Sequence, residues 1–550
     1  MNKFFYYLII VSIIIITSCN NSKQKNIEIK DSLNTTIKMK LDKYAKVTLN
    51  TDLSILSKKE KQMLPYLYEA AKIMDDLYWE VAIGNKNEFL SNIKDSLIKL
   101  YAMINYGPWD HLDNNKPFIE GYGERPPGAN FYPKDMTKEE FEKLKDNLKT
   151  SPYTIIRRNN DGSLRVIWFH DAFNEQLTKA ANYIKKAAEL TEDKNFKKYL
   201  NLRAEALITD NYKLSDIAWM DSKTSNIEFI VGPIENYTDE LFGYKTAYEA
   251  FILIKDNEWS NKLAKYNKLL PTLQKELPVD EKYKKEKPGS DSDINVYDAI
   301  YYAGDCNAGT KTIAINLPND EEIQLQKGTR KLQLKNTMKA KFDNILVPIA
   351  NILIAPEQRK YIKFNAFFEN TMFHEVAHGM GIKNTINGKG TVREALQAEY
   401  SAIEEGKADI LGLYLITKLY EMKELSEGEL MDNYVTFVAG IFRSVRFGTA
   451  SAHGKANMIR FNYFIEKNAI ERHPQGYYSI NFSKMKEAVI YSVQMILKIQ
   501  GDGDKETAEK IIKENGIIKP PLENDLKLID NAKIPVDVIF EQGIYLWQIN

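Results

Sequence analysis

The chain has 550 residues, and its 75 lysines and arginines balance its 75 aspartates and glutamates. This length is more than one hydrophobic core usually spans, so we expect two lobes. A balanced charge gives no standing electrostatic field for a phosphate backbone, which argues against nucleic acid as a partner. Two cysteines exclude a disulfide-stabilised scaffold and a thiolate zinc site, so any metal must be bound by carboxylates and by the six histidines.

Residues 1–18 have the pattern of an export signal, in which Lys3 precedes an apolar run over 4–16. The run is shorter than the roughly 20 apolar residues of a membrane-spanning helix, so we expect a signal rather than a span. Together with Cys19, the stretch resembles a bacterial lipoprotein signal. That resemblance implies cleavage before Cys19, a lipid anchor on its thiol, and a place in the bacterial cell envelope as a periplasmic or outer-membrane lipoprotein. A plain signal or a short N-terminal membrane anchor is the alternative.

The next residues, 19–37, are rich in asparagine, lysine and serine, so we expect a flexible tether there. A mixed α/β lobe is expected over 38–345. Its first part is predicted to be helical, because apolar residues recur at helical spacing over 58–103 and 172–211. Short β-like runs occur at 163–169, 226–231 and 311–317.

A helical lobe is expected over 346–515, followed by a C-terminal segment over 516–550 that mixes loop and strand character and is expected to return to the first lobe. Uninterrupted helical spacing predicts three long helices, over 357–379, 392–422 and 432–468. The predicted fold class is therefore mixed α/β and mostly helical, with a β-containing lobe, a helical zinc-binding lobe and an active site in the cleft between them.

His374, Glu375 and His378 form an HExxH motif near the end of the first of these helices. Residues four apart lie on one helix face, so His374 and His378 can offer two imidazole nitrogens to one cation. Glu375 lies on the adjoining face, where it can reach a water activated by the metal and act as the general base. The alternative is a pair of helical histidines satisfied by local hydrogen bonds.

The next helix contains the adjacent residues Glu404 and Glu405, and neighbouring helical residues point about 100° apart, so only one of them can face the metal. The face of Glu405 carries small residues that would let the two helices approach closely, whereas the face of Glu404 reads as more solvated, with Gln397, Ser401 and Lys407. We therefore assign Glu405 as the third ligand. Asp409 and Glu404 are candidates to accept the outer N–H of a ligating histidine. An exposed acidic helix end is the alternative.

The run Glu404-Glu405-Gly406-Lys407-Ala408-Asp409 resembles the second motif of the dipeptidyl peptidase III family of zinc metallopeptidases. Three further segments resemble landmarks of that family in the same order, namely 234–239, 315–320 and 451–456. The resemblance implies that 226–240 and 311–320 bind the substrate. It implies specifically that Glu235, Asn316 and Asn319 hold its amino terminus, and that Tyr237 and His453 act on the reacting carbonyl. Without the resemblance, these residues would be interpreted as structural.

The function that the resemblance implies is a zinc-dependent exopeptidase with one Zn²⁺ per chain, which releases dipeptides from the free amino terminus of short peptides. The alternatives are a peptide-binding surface lipoprotein without turnover and a zinc hydrolase of another substrate class. The intact Glu375 argues against the first alternative, because a scaffold zinc site needs no base beside it. The chain departs from the family in one respect, since the usual motif has one more residue between its histidines and needs a bulged helical turn.

Overall fold

The computed structural model describes residues 35–287, 292–425 and 427–548. The predicted signal, Cys19 and nearly all of the predicted tether lie outside the described residues. Within those ranges, no helix is long and apolar enough to cross a membrane.

The described residues form a mixed α/β fold that is mostly helical. The strands are β1 (Tyr44–Thr48), β2 (Trp109–Asp110), β3 (Lys116–Pro117), β4 (Thr154–Arg158), β5 (Leu164–Trp168), β6 (Ile227–Glu235), β7 (Ala247–Lys255), β8 (Ser292–Gly304), β9 (Ala314–Leu317), β10 (Thr329–Leu334), β11 (Ile470–Arg472), β12 (Tyr478–Ile480) and β13 (Asp537–Glu541). The largest sheet has the order β6-β7-β8-β10-β9. Its neighbours are antiparallel except for β8 and β10, which are parallel.

Helices surround this sheet and make up most of the second half of the chain. From residue 58 onward they are α1 (Lys58–Ala82), α2 (Lys86–Asn92), α3 (Ser96–Asn105), α4 (Lys138–Lys143), α5 (Phe169–Ala172), α6 (Asn174–Leu190), α7 (Lys194–Leu207), α8 (Lys213–Asp221), α9 (Asn257–Asn267), α10 (Leu270–Lys275), α11 (Glu321–Lys327), α12 (Lys335–Lys341), α13 (Val347–Leu353), α14 (Phe364–His378), α15 (Val392–Leu396), α16 (Tyr400–Glu421), α17 (Leu430–Val445), α18 (Ala452–Glu466), α19 (Phe482–Asp502), α20 (Lys505–Asn515) and α21 (Pro520–Asn531).

The three long helices predicted from apolar spacing are each shorter or interrupted, so those predictions were wrong in extent. A 3₁₀-helix (Pro356–Tyr361) precedes α14, which begins only at Phe364. Gln397 has a φ of 53°, in the left-handed region, and separates α15 from α16. Ser451 accepts a hydrogen bond from the amide of Gly454 and so starts a new helix, α18. The helical spacing of apolar residues continues across such breaks because the two helices that flank a break bury their apolar faces on the same side.

Buried apolar side chains form two large clusters. The first, here called the sheet core, packs β6, β7 and β8 against α1, which packs in turn against α6. The second, here called the helical core, contains side chains from α14, α16, α17 and α19. Strand β10 contributes Leu332 and Leu334 to the sheet core, whereas α14 contributes Phe367 and Phe368 to the helical core. The candidate site lies where these two elements approach each other.

The C-terminal segment lies beside the first strand of the described chain. Strand β13 pairs with β1 in parallel, from Tyr44 opposite Asp537 to Thr48 opposite Glu541. Trp547 is buried in the sheet core. Asp537 accepts hydrogen bonds from the amide of Lys311 and from Nζ of Lys341, so its buried carboxylate connects the C-terminal segment to the middle of the chain.

Candidate metal centre

Helix α14 presents His374 and His378 on one face. The helix runs without a bulge to His378 and ends at Gly379. The Nε2 atoms of the two rings are 3.2 Å apart, so the imidazoles converge on one point. A regular helix therefore suffices for the four-residue spacing of this chain.

Helix α16 packs against α14 at Gly412. A Cβ atom at that position would lie 2.8 Å from the carbonyl of Phe373 and 2.9 Å from the backbone nitrogen of His374, so only glycine permits this approach. The approach places Oε2 of Glu405 3.4 Å from Nε2 of His374 and 3.8 Å from Nε2 of His378. One ligand atom from each of the three residues lies within 4.8 Å of the other two.

The chemistry of this group fits zinc. Two imidazoles and one carboxylate are a common catalytic zinc set, which leaves a fourth position open. Oε2 of Glu405 is buried, and its polar neighbours are imidazole nitrogens: Nε2 of His374, Nε2 of His378 and, at 3.1 Å, Nδ1 of His453. A cation shared with the two Nε2 atoms would stabilise the buried negative charge of this carboxylate.

Two further carboxylates face the outer nitrogens of the rings. Oδ1 of Asp409 lies 2.5 Å from Nδ1 of His374, and Oε1 of Glu404 lies 2.9 Å from Nδ1 of His378. These contacts fix the ring orientations and leave both Nε2 atoms for a metal. The two adjacent glutamates therefore meet opposite sides of the histidine pair.

Positive groups stand behind these carboxylates. Arg460 donates to Asp409, and Nζ of Lys407 lies 2.8 Å from Oε1 of Glu404. Burial would raise the pKa of Glu404, but the hydrogen bond with His378 and the charge of Lys407 outweigh it and lower the pKa to about 2. At Asp409, burial would also raise the pKa, but the charge of Arg460 outweighs it and lowers the pKa to about 2. Both carboxylates therefore remain ionised near neutral pH.

On the face of Glu404, Gln397 and Ser401 are exposed as the sequence predicted, but Lys407 is buried, which corrects that part of the prediction. Lys407 is only 2% exposed, and its ammonium contacts Oε1 of Glu404 and donates to the carbonyl of Met380, two residues beyond α14. Gln500 donates to the other oxygen of Glu404 at 2.9 Å. The sequence offered one signal for these partners, namely charged and amide residues inside otherwise apolar helices.

Glu375 lies beside the three candidate ligands and accepts a hydrogen bond from Lys331 of β10. The distance from Nζ of Lys331 to Oε2 of Glu375 is 2.9 Å. Burial would raise the pKa of Glu375, but the charge of Lys331 and of the histidines holds it below its usual value. Glu375 is therefore ionised and able to accept a proton. The sequence analysis did not foresee Lys331.

His453 stands at the open edge of the group, in the first turn of α18. Its side chain is 59% exposed, and the centroid of its ring is 6.0 Å from that of His374. The contact with Glu405 raises the pKa of His453, although burial opposes the shift. An imidazole N–H at this edge can donate to a reacting carbonyl.

Glu235, Tyr237 and Asn319 line one cavity of about 500 Å³. Glu235 ends β6, and burial raises the pKa of its carboxyl while a hydrogen bond from Asn319 opposes the shift. Tyr237 follows in a loop and is 76% exposed. Nδ2 of Asn319 also donates to the carbonyl of Ile234 at 3.1 Å. Asn316 does not line this cavity and is exposed on β9, opposite Lys331 of β10.

The inner wall of the cavity is aromatic, a feature that the sequence analysis did not identify. Beyond Glu235, it contains Tyr153, Tyr199, Tyr212 and Trp219, together with the ion pair of Arg203 and Asp216. The hydroxyl of Tyr212 is buried and forms no hydrogen bond with the described residues. The wall therefore offers aromatic surface together with polar groups.

Comparison with known proteins gives one family model and relatives that match most of this chain. The model described as peptidase family M49 matches residues 146–393, a range that contains Glu235, Asn319 and the HExxH motif. The protein named Nudix hydrolase 3 from Arabidopsis thaliana is 36% identical, and the match covers 91% of this chain and 73% of that protein.

Two solved structures are similar over nearly the whole chain. DPP III from Caldithrix abyssi has a TM-score of 0.87 and 39% identity, and the match covers 92% of this chain and 99% of that one. Dipeptidyl-peptidase III from Corallococcus sp. strain EGB has a TM-score of 0.74 and 36% identity, with 92% and 97% covered. The likeness therefore extends beyond the range of the family model, over both the sheet and the helices.

Proposed function

The chain belongs to peptidase family M49, the dipeptidyl peptidase III family of zinc metallopeptidases, and we propose that it releases dipeptides from the free amino terminus of short peptides. The observation that carries the proposal is the convergence of His374, His378 and Glu405 beside the ionised Glu375. We assign one Zn²⁺ per chain to this group, in a cleft between the sheet core and the helical core.

His374, His378 and Glu405 would hold the zinc, and Asp409 and Glu404 keep the two rings in place. When bound, zinc supplies a Lewis acid that lowers the pKa of a bound water toward ~7 and polarises the scissile carbonyl. Glu375 accepts the proton of the attacking water and delivers it to the leaving amine as the C–N bond breaks. One water is consumed, and the products are a carboxylate and an amine.

Two donors are available for the negative charge that develops on the carbonyl oxygen. His453 lies at the edge of the metal group, and Tyr237 lies in the loop after β6 with its hydroxyl accessible. Donors aimed at the developing charge stabilise the transition state more than the ground state. We assign this role to both residues.

The cavity beside Glu235 gives the reaction its exopeptidase character. The carboxylate of Glu235, with Asn319 beside it, can bind the ammonium group of a free amino terminus. The aromatic wall behind it can hold the first side chain of the peptide. Asn316, which the sequence predicts at the substrate amino terminus, lies outside this cavity on β9 opposite Lys331, so we instead assign to it a contact nearer the metal.

A screen of dipeptidyl-naphthylamide substrates, with and without a chelator, tests the function. We expect hydrolysis that the chelator abolishes and that added zinc restores. Glu375→Gln should bind stoichiometric zinc but lose nearly all turnover, because an amide cannot accept the proton. Zinc binding without hydrolysis of any peptide would favour a peptide-binding lipoprotein. Hydrolysis of non-peptide substrates alone would favour a zinc hydrolase of another substrate class.

Residues 1–18 support a further assignment, a lipid anchor on Cys19 in the bacterial cell envelope. The support is the basic start, the apolar run and the small residues before Cys19. In a bacterial host, labelled palmitate should be incorporated into the parent protein and not into a Cys19→Ala variant. Incorporation into both proteins, or into neither, would contradict the lipoprotein assignment.

A further inference from the structure

Lys331 forms a buried ion pair with the residue that we assign as the general base. Nζ of Lys331 lies 2.9 Å from Oε2 of Glu375 and 3.4 Å from its backbone carbonyl oxygen. The residue is only 9% exposed. A buried ammonium is costly without a partner, so the pair is held firmly.

The ion pair connects the two hydrophobic cores. On the same strand as Lys331, Leu332 and Leu334 pack into the sheet core, whereas Phe373, the second residue before Glu375, packs into the helical core. Any relative shift of β10 and α14 therefore acts directly on the carboxylate of Glu375.

Lys331 also has a fixed relation to the strand that we expect to bind the substrate. In the antiparallel pair of β9 and β10, Lys331 is directly opposite Asn316, so the two side chains project from the same face of the sheet. One two-stranded unit thus carries a candidate substrate contact and the partner of the base. With Oε2 of Glu375 held by Lys331, Oε1 is the oxygen left to accept the proton.

We propose that Lys331 is a positioning residue for the peptidase reaction, which fixes the carboxylate of Glu375 relative to the substrate-binding strand. This inference rests on the proposed peptidase function. A residue that acts through Glu375 should change kcat and leave substrate binding nearly unchanged. A residue that binds substrate should change KM instead.

The test compares Lys331→Met and Lys331→Arg with the parent enzyme and with Lys327→Met. Lys327 is a matched control because it ends α11, only two residues before β10, and forms a 2.6 Å ion pair with Asp221 on the surface. We expect Lys331→Met to keep one zinc and to lower kcat by about 10- to 100-fold, with KM within about 3-fold. Lys331→Arg should recover most of the loss, and Lys327→Met should match the parent.

A binding measurement separates positioning from substrate contact. In isothermal titration calorimetry, the inactive Glu375→Gln variant and the Glu375→Gln, Lys331→Met double variant should bind the peptide with the same affinity. A kcat equal to the parent, a change confined to KM, or a weaker peptide affinity of the double variant would overturn the inference. Thermal unfolding is recorded for every variant, and Lys331→Gln replaces the methionine variant if that one is unfolded. An inactive parent would instead contradict the proposed function itself.

Discussion

Glu404 and Glu405 are adjacent on α16, and the rotation of about 100° between neighbouring helical residues gives their carboxylates different partners. Oε2 of Glu405 faces both Nε2 atoms of the histidine pair, whereas Oε1 of Glu404 faces Nδ1 of His378 from behind. Lys407 and Gln500 contact Glu404, whereas the polar neighbours of Oε2 of Glu405 are the imidazole nitrogens of the candidate site. Their environments therefore assign the two carboxylates different tasks.

We predict that Glu405→Ala loses zinc and that Glu404→Gln retains it. The first change removes a ligand. The second keeps a hydrogen-bond acceptor for His378 and should weaken zinc by about 10- to 100-fold, as expected for a residue that orients a ligand. Elemental analysis after dialysis, followed by competition with a graded series of chelators, measures both effects. The opposite pattern, with zinc lost only from the Glu404 variant, would reverse the ligand assignment.

We predict that Tyr237→Phe and His453→Ala lower kcat by about 10²- to 10³-fold, with much smaller effects on KM. Each change removes a donor that meets full charge only in the transition state. Steady-state kinetics on one dipeptidyl-naphthylamide substrate gives the comparison. Tyr244→Phe is a suitable control, because Tyr244 also lines the cavity but has no assigned role in the reaction. A rise in KM at constant kcat would make Tyr237 a binding residue.

Residue spacing within one helix was enough to nominate the residues that the structure brings together around the metal position. His374, Glu375 and His378 depend only on helical geometry, which is local. The partners of these side chains come from distant parts of the chain. Lys331 lies on a strand of the other core and Arg460 on another helix, so no spacing rule connects either of them to α14.

At the scale of elements, the metal group depends on the close contact of α14 and α16. We predict that Gly412→Ala destabilises the fold by about 1–3 kcal/mol, because the new methyl group overlaps the backbone of Phe373 and His374. Separation of the helices also moves Glu405 away from the histidines, so zinc affinity should fall.

The control is Gly440→Ala in α17, where a Cβ atom has no other atom within 4 Å. An alanine in an open helical position should be neutral or stabilise the fold by up to about 1 kcal/mol. Thermal unfolding and zinc titration of both variants make the comparison. Equal stability of the two variants would show that the helices can separate at no cost.

A second prediction at this scale concerns the start of α14, where Glu369 is 6% exposed and accepts a hydrogen bond from Asn433 of α17 at 2.9 Å. Burial raises the pKa of Glu369 to about 7, with the hydrogen bond from Asn433 opposing the shift. The pKa of Glu369 is higher in the folded protein than its value of about 4.5 in the unfolded chain. The contribution of Glu369 to the free energy of unfolding is therefore complete below about pH 4.5 and is lost as the pH rises through about 7.

We therefore predict that Glu369→Gln raises Tm at pH 8 and changes it little at pH 5. The gain in the free energy of unfolding at pH 8 is on the order of 3 kcal/mol, since one pKa unit corresponds to about 1.4 kcal/mol. The glutamine keeps an acceptor for Asn433. Scanning calorimetry at the two pH values measures the effect, with exposed Glu357→Gln as the control. A gain of the same size at both pH values would mean that the carboxyl is not the cause.

The sequence indicated parts of the large sheet but not its centre. The β-like runs at 163–169, 226–231 and 311–317 coincide with β5, β6 and β9. Strands β7 and β8, and β10 beside them, were not predicted. Nearly all of β7 is buried, so it has no alternation of apolar and polar residues, and a continuous apolar run does not distinguish a strand from a buried helix.

At the scale of the whole molecule, the length of the chain predicted more than one core, and two large cores are present. Composition cannot show how they meet. The pairing of β1 with β13 joins residues almost 500 positions apart, and the parallel pairing of β8 with β10 requires a crossover through β9 and α11. Such pairings depend on tertiary packing, which local patterns do not encode.

The last prediction concerns where the enzyme cuts, which depends on the distance from the Glu235 cavity to the metal group. Glu235 carries a half-buried carboxylate to which we assign the substrate ammonium as partner, so acetylation of the peptide amino terminus should leave it without that partner. We expect kcat/KM to fall by about 10- to 100-fold for the acetylated peptide, corresponding to about 1–3 kcal/mol. In a Glu235→Gln variant the free and acetylated peptides should be cleaved at nearly equal rates, because the discriminating charge is gone. Mass spectrometry of timed digests identifies the products, which should be dipeptides from the free terminus. Equal cleavage of both peptides by the parent, or cuts spread through the interior of long chains, would contradict the exopeptidase assignment while leaving the zinc site intact.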